Sequence, residues 1–125
     1  MPEAWEEVLT PLGTDYVKDH ITDAPWIVVL FRQSQRMRGE DDMSPTYYSQ
    51  ESCGIAAGLF IAAIHNMGLT TLTHTPSPMG FLRDILDRPF HEHAMLLMPV
   101  GYPTEDAKVP DLNRKGLKEV SEFFE

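Results

Sequence analysis

Apolar runs and polar connections alternate along the chain at spacings that predict strands and helices in turn. The run from Trp26 to Phe31 is continuous and rich in β-branched and aromatic residues, which indicates a strand buried on both faces. A second run from Ala94 to Val100 predicts another buried strand that Gly101 breaks. Leu69 to Thr73, which reads Leu-Thr-Thr-Leu-Thr, is a third β-type segment because β-branched threonine favours strands.

The strongest helix pattern extends from Tyr47 to Met67. Its centre, Gly54 to Ile64, is apolar on all sides, so we expect this helix to be buried all round. Ser49 or Ser52 can begin it, and Gly68 can supply the left-handed residue that ends it.

Shorter helical patterns lie on either side of these elements. Apolar spacing predicts helices over Glu3 to Leu12 and Asp15 to His20. Ser77-Pro78 predicts a helix start with proline at the first helical position. An amphipathic final helix, or an arm docked on an apolar surface, is expected where four apolar residues recur: Leu117, Val120, Phe123 and Phe124.

This order of elements predicts an α+β fold. The polar segment Ser34 to Thr46 contains glycine, proline and an acidic run, which is typical of a long, mobile loop. Three strands form a small sheet for so apolar a helix. We therefore expect further strands or a second subunit to complete the core.

Composition and charge narrow the classes of function. The 125 residues are 42% hydrophobic, enough for one domain with a core. Ten Lys and Arg against 19 Asp and Glu give a net charge of −9, which argues against nucleic-acid binding and against docking on anionic membranes. A few locally placed cations could still hold a small anionic ligand.

Location is constrained by the same composition. The one cysteine, Cys53, cannot form an intrachain disulfide, and this favours a reducing, cytoplasmic compartment. Cys53 lies in an apolar stretch, where a small buried side chain is more common than a reactive thiol. The segment Met1 to Trp5 lacks the features of a signal peptide, and we expect a soluble protein.

Two groups of side chains could carry chemistry. Threonines 70, 71, 73 and 75 surround His74 at one strand end, and their hydroxyls could donate to a ring heteroatom or a phosphate. The alternative is a threonine-rich strand without a ligand. Arg114 lies in the cationic cluster of the C-terminal segment and could bind a phosphate bidentately, or it could be a solvated charge.

Other reaction classes have little support. His91-Glu92-His93 invites a metal interpretation, but zinc needs a third protein ligand and none is evident, so we expect no metal site. The phosphate-binding and nucleophile-elbow motifs of kinases and serine hydrolases are absent from the sequence.

Several segments together resemble the nitroreductase superfamily, and more specifically its iodotyrosine deiodinase branch. The helix resembles the central helix of the superfamily, and the stretch from Gly101-Tyr102-Pro103 to Arg114-Lys115 is the most specific part. Further matching segments are Ala24-Pro25-Trp26-Ile27, Thr73-His74-Thr75-Pro76 and Leu86-Asp87-Arg88-Pro89.

The resemblance implies a nitroreductase-like three-layer α+β sandwich that works as an intertwined homodimer with FMN at each subunit interface. It implies one domain over residues 1–125, with a lid-like segment (1–22), a core (23–103) and a C-terminal arm (104–125). The core is expected to be incomplete, because the family's N-terminal half would precede Met1.

Roles for individual residues also follow from the resemblance. Thr73 would donate to the flavin N5, with His74 and Thr75 beside it, and Arg114 would bind the FMN phosphate. Lys18 would contact the carboxylate of the substrate, although an exposed lysine is also the commonest surface feature.

The function implied is FMN-dependent reductive dehalogenation of halotyrosine-like halophenols, with NAD(P)H or another reductant as electron donor. One alternative is a general FMN-dependent nitro or quinone reductase that accepts nitroaromatic substrates. Another is an inactive fragment, since the family's N-terminal phosphate-binding segment and two of its lid residues would lie before Met1.

Overall fold

A computed structural model describes residues 23–39 and 42–125. They fall into two compact units, with the residues up to 104 in one and residues 105–125 in the other. Helices and strands are both present, and the predicted α+β class is confirmed. The helices expected over Glu3–Leu12 and Asp15–His20 lie outside the described residues.

The described residues of the first unit form five strands and two named helices, and those of the second unit form one short helix. The strands are β1 (Trp26–Gln33), β2 (Gln35–Gly39), β3 (Asp42–Pro45), β4 (Thr70–Thr71) and β5 (Glu92–Gly101). The helices are α1 (Ser49–Asn66), α2 (Phe81–Ile85) and α3 (Leu117–Val120).

An antiparallel sheet with strand order β1-β5-β4 forms the core of the first unit. β1 pairs with β5 along its whole length, from Trp26 opposite Val100 to Gln33 opposite Glu92. The register shifts between Leu30 and Phe31, a β-bulge. β5 ends at Gly101, where a Cβ would lie 2.8 Å from Cδ of Pro25, so a residue without a side chain is required there.

The prediction that the first strand is buried on both faces is wrong for this chain. Trp26 is 73% exposed and Ile27 is 40% exposed. No described element covers these two side chains, although the strand itself forms and extends past Phe31 to Gln33. The apolar run correctly predicted a strand. The described residues do not cover the second face of that strand.

The segment predicted as a long mobile loop is instead a β-hairpin. β2 and β3 pair antiparallel, with Gln35 opposite Pro45 and Met37 opposite Met43. The prediction failed because glycine, proline and acidic residues disfavour strands only weakly when a hairpin partner is close in sequence. The hairpin is tied to β1, since the Thr46 hydroxyl donates to the Gln33 carbonyl.

The sequence predicted that helix α1 is buried all round. In the structure it is buried along one stripe only. Ala57 and Ile64 are buried, and the stripe continues through half-buried residues at helical spacing: Cys53, Phe60 and Ile61. This face packs on β1 and β4. The opposite face carries Ile55 at 67% and Leu59 at 68% exposure.

Gly68 ends α1, in agreement with the sequence. Its φ of +82° is left-handed, and two hydrogen bonds close the turn: Gly68 N–H to the His65 carbonyl at 3.1 Å and Leu69 N–H to the Ile64 carbonyl at 2.9 Å. This pair of bonds is the Schellman motif. At the other end, Tyr48 is the cap in a left-handed conformation, and no side chain caps the helix.

Two of the shorter helices differ from expectation. α2 begins at Phe81 with Gly80 as its cap, three residues beyond Pro78, and Leu82 is its buried residue. In the second unit, α3 has four residues, and all four apolar side chains of the predicted final helix are exposed.

Among the described residues, no helix is both long and apolar enough to span a membrane.

Candidate functional site

Buried and exposed side chains alternate in the threonine segment that follows α1. Thr70 and Thr71 pair with Gly101 and Val100 of β5, and the chain then continues alongside β5 to a bridge between His74 and Leu97. His74 is 9% exposed, whereas Thr73 and Thr75 on either side of it are exposed. Successive side chains of an extended chain point to opposite faces, which explains this alternation.

Backbone hydrogen bonds hold this segment firmly against β5. The His74 N–H donates to the Leu97 carbonyl at 2.8 Å, and the Leu97 N–H donates back to the His74 carbonyl at 2.9 Å. With the backbone of residue 74 fixed, the hydroxyls of Thr73 and Thr75 are presented on the same side of the segment. The geometry can therefore offer two neighbouring donors to one planar ligand.

The other two predicted site residues are Arg114 and Lys18. Arg114 is exposed in the second unit and forms no ion pair with a described residue. Lys18 lies outside the described residues. Their roles remain predictions.

A cavity of about 710 Å³, which the sequence did not reveal, lies in the first unit. Its lining comes from the end of β1, the β2–β3 hairpin, the first turns of α1 and the segment around Arg88. Arg36 and Arg38 of β2 both line it, with a register shift in the hairpin between Met37 and Gly39. The alternation Arg36-Met37-Arg38 was the available signal, but it lay in the segment predicted as a loop.

At this cavity, Arg88 forms a bidentate ion pair with Glu92. Nε and Nη2 of Arg88 each donate to one carboxylate oxygen of Glu92 at 2.7 Å. The Glu92 side chain is 9% exposed and the Arg88 side chain 47%. The hydrogen bonds from Arg88 lower the pKa of Glu92 below its usual value, and the same contact raises the pKa of Arg88.

The histidines of the His91-Glu92-His93 segment make structural contacts. His93 Nε2 lies 3.0 Å from Oγ of Ser34, and that hydroxyl also donates to the His91 carbonyl at 3.3 Å. Burial, with the nearby charges of Arg32, Arg83 and His91, lowers the pKa of His93. No group of three His, Cys, Asp or Glu side chains within residues 23–39 and 42–125 is placed to hold a metal ion.

Residues 3–102 match the family model of the nitroreductase family. The chain belongs to that family. The resemblance of its helix and its C-terminal motifs to nitroreductases is thereby confirmed.

Relatives within the family carry the name iodotyrosine deiodinase. The protein of that name from Haliscomenobacter hydrossis is 51% identical over 115 residues, which cover 92% of this chain and 52% of that protein. Iodotyrosine deiodinase 1 of Homo sapiens is 39% identical over 121 residues, covering 96% of this chain and 42% of that protein. The chain thus spans about half the length of these curated relatives.

Solved structures share the fold. A crystal structure of oxidized iodotyrosine deiodinase bound to FMN and 3-iodo-L-tyrosine aligns with a TM-score of 0.75 at 21% identity, covering 94% of this chain and 58% of that one. A protein from Bacteroides thetaiotaomicron described as an NAD(P)H nitroreductase aligns with a TM-score of 0.66 at 18% identity, covering 93% and 65%. At these identities the likeness establishes the nitroreductase fold.

Proposed function

We propose that this chain is part of an FMN-dependent oxidoreductase that removes halogen from halotyrosine-like halophenols. The observation that carries the proposal is the 51% identity to an iodotyrosine deiodinase over 92% of the chain. When bound, FMN would supply the electrons with which a carbon–halogen bond is replaced by a carbon–hydrogen bond. The reductant that recharges the flavin is proposed to be NAD(P)H.

The residues present are chemically suited to parts of an FMN site. Thr73 and Thr75 are exposed beside a segment that two backbone bonds hold in place, so their hydroxyls can donate to a flavin ring nitrogen; Thr73 is assigned the contact to N5. His74 lies between them and fixes their spacing through its backbone. Arg114 presents an unpaired guanidinium suited to a phosphate.

Lys18 is proposed to bind the substrate's carboxylate as a point charge. Substrate choice then depends on it: a zwitterionic halotyrosine has the carboxylate, and a simple nitroaromatic lacks it. Replacing Lys18 by Ala is expected to raise KM for halotyrosine while leaving KM for nitroaromatics unchanged.

A homodimer is proposed because α1 has two apolar faces and the described residues bury only one of them. The face with Ile55 and Leu59 is solvent-exposed on a helix whose composition suits complete burial. A second copy of the same helix would cover it. We also propose a cytoplasmic location, since the chain has one cysteine and no possible intrachain disulfide.

The test is a comparison of substrates on the purified protein after its flavin absorbance has been recorded. Release of iodide from iodotyrosine with NAD(P)H supports the proposal. Efficient turnover of nitroaromatics without any from iodotyrosine would favour a general nitro or quinone reductase, the second candidate, which the family match supports. A colourless protein that takes up no FMN would contradict both.

A further inference from the structure

We propose that the cavity between the β2–β3 hairpin and the start of α1 is a phosphate-binding site. Among the described residues that line it are three guanidinium groups, from Arg36, Arg38 and Arg88, and one carboxylate, from Glu92. In a chain with a net charge of −9, this is a local concentration of positive charge. The site is separate from the threonine segment and the flavin role proposed for it.

The two hairpin arginines are available to an anion. Both are exposed, and neither forms an ion pair with a described residue. Arg36 and Arg38 both line the cavity from β2, so their guanidinium groups can contact one anion held there. Guanidinium groups bind phosphate oxygens through paired, charge-assisted hydrogen bonds.

Arg88 neutralises the carboxylate of Glu92, which would otherwise repel an anion in the cavity. Both oxygens of Glu92 accept from Arg88 at 2.7 Å, so this carboxylate is neutralised within the pair. The pair uses Nε and Nη2 of Arg88. Its Nη1 is left to donate elsewhere.

Hydroxyl donors complete the lining. Ser49 and Ser52 line the cavity from the first turn of α1, and no side chain caps that helix end. The cavity volume of about 710 Å³ lies within the range of roughly 300–1,000 Å³ of small-molecule sites. It therefore admits a free phosphate ion or a phosphate carried by a larger molecule such as NADPH.

The test measures binding of inorganic phosphate by equilibrium dialysis at constant ionic strength, with and without saturating FMN. The double variant Arg36→Gln/Arg38→Gln is expected to bind phosphate about tenfold more weakly or worse, since it loses hydrogen bonds to a charged group. Lys108→Gln/Lys118→Gln removes the same charge from residues that do not line the cavity and is expected to bind within about twofold of the unaltered protein. Arg36→Lys/Arg38→Lys, which keeps the charge, is expected to be intermediate.

The two sources of phosphate are distinguished by titrating NADPH and NADH. If the unaltered protein binds NADPH more tightly than NADH, and Arg36→Gln/Arg38→Gln loses this difference, the site binds the extra phosphate of NADPH. If the unaltered protein binds NADPH and NADH equally and still binds inorganic phosphate, the site binds the free ion. Unchanged phosphate binding in the double variant, no binding in the unaltered protein, or displacement by FMN would each overturn the proposal. Because binding is measured without turnover, failure of the dehalogenase assay leaves this result independent.

Discussion

At the residue scale, the threonine segment shows how one backbone pairing arranges several side chains. The mutual hydrogen bonds between His74 and Leu97 place His74 inward and its two neighbours outward. Composition alone gave no preference among the threonines. Of the four threonines, Thr70, Thr73 and Thr75 are exposed and Thr71 is half-buried. Thr73 and Thr75 are the two that flank the residue bonded to Leu97, and the flavin contact is proposed there.

Replacing Thr73 by Val is expected to lower the rate of dehalogenation by about tenfold, because valine keeps the shape of threonine and removes one hydrogen-bond donor. Thr75→Val is the matched control, with the same substitution on the same side of the segment. The measurement is kcat for iodotyrosine together with the reduction potential of the bound flavin. A larger loss in Thr75→Val would transfer the N5 contact to Thr75.

His93 makes stability depend on pH. Its pKa is lowered from the ordinary value of 6.5, chiefly by burial, so the unfolded chain takes up a proton more readily than the folded one. The contribution is fully present above pH 6.5 and is lost as pH falls through the lowered folded pKa. His93→Gln is expected to flatten the fall in unfolding free energy on acidification, measured by urea titration across this range. An equally steep fall in the variant would assign it to other groups.

The Arg88–Glu92 pair also makes the protein less stable as the pH falls, in a lower pH range than His93 does. The contact lowers the pKa of Glu92 from its ordinary value of 4.5, so its stabilisation is present above that pH and is lost as pH falls through the folded value. Arg88→Met is expected to move the midpoint of acid unfolding to higher pH, followed by circular dichroism. Arg83→Met is a control outside this pair, and an equal shift in it would argue against a specific role for the ion pair.

At the element scale, helix α1 ends where one residue must adopt a left-handed conformation. The sequence was sufficient to predict this end, because glycine is the residue that adopts such a φ without strain. The sequence did not identify which residue begins α1. Ser49 and Ser52 are both plausible caps, yet the cap is Tyr48, which no side-chain hydrogen bond supports.

Gly68→Ala is expected to destabilise the protein by about 1–2 kcal/mol, since its φ of +82° is costly for a residue with a Cβ. Gly54→Ala is the matched control within the helix, where an added Cβ meets nothing within 4 Å, and it is expected to stabilise by about 0.5–1 kcal/mol. Chemical denaturation measures both. Equal effects of the two substitutions would show that the helix end is not held by the left-handed residue.

At the scale of the whole molecule, α1 carries more apolar surface than one copy of the chain covers. Its buried stripe and its exposed stripe lie on opposite sides, as helical spacing requires. The sequence predicted an apolar helix with no polar side, and that is correct. The described residues leave the side with Ile55 and Leu59 exposed, and a second copy of the helix is proposed to cover it.

Ile55→Glu/Leu59→Glu is expected to weaken the proposed dimer by about 100-fold or more, because charges would replace apolar contacts in its interface. Gln50→Glu/His65→Glu adds the same charges at exposed positions of α1 away from that stripe. Sedimentation equilibrium gives the dissociation constants. An unchanged dimer in the first variant would place the interface elsewhere.

The sequence by itself determined the local elements of this protein and its family. The apolar runs at Trp26–Phe31 and Ala94–Val100 predicted strands, and the small-residue helix predicted α1, because strand and helix formation depend on side-chain periodicity over neighbouring residues. Only the tertiary structure decided which threonines are exposed, that β2 pairs with β3, and that three arginines line one cavity. The arginines of the cavity come from elements far apart in the chain, and the hairpin depends on pairing between two strands, so the side-chain period within one element encodes neither.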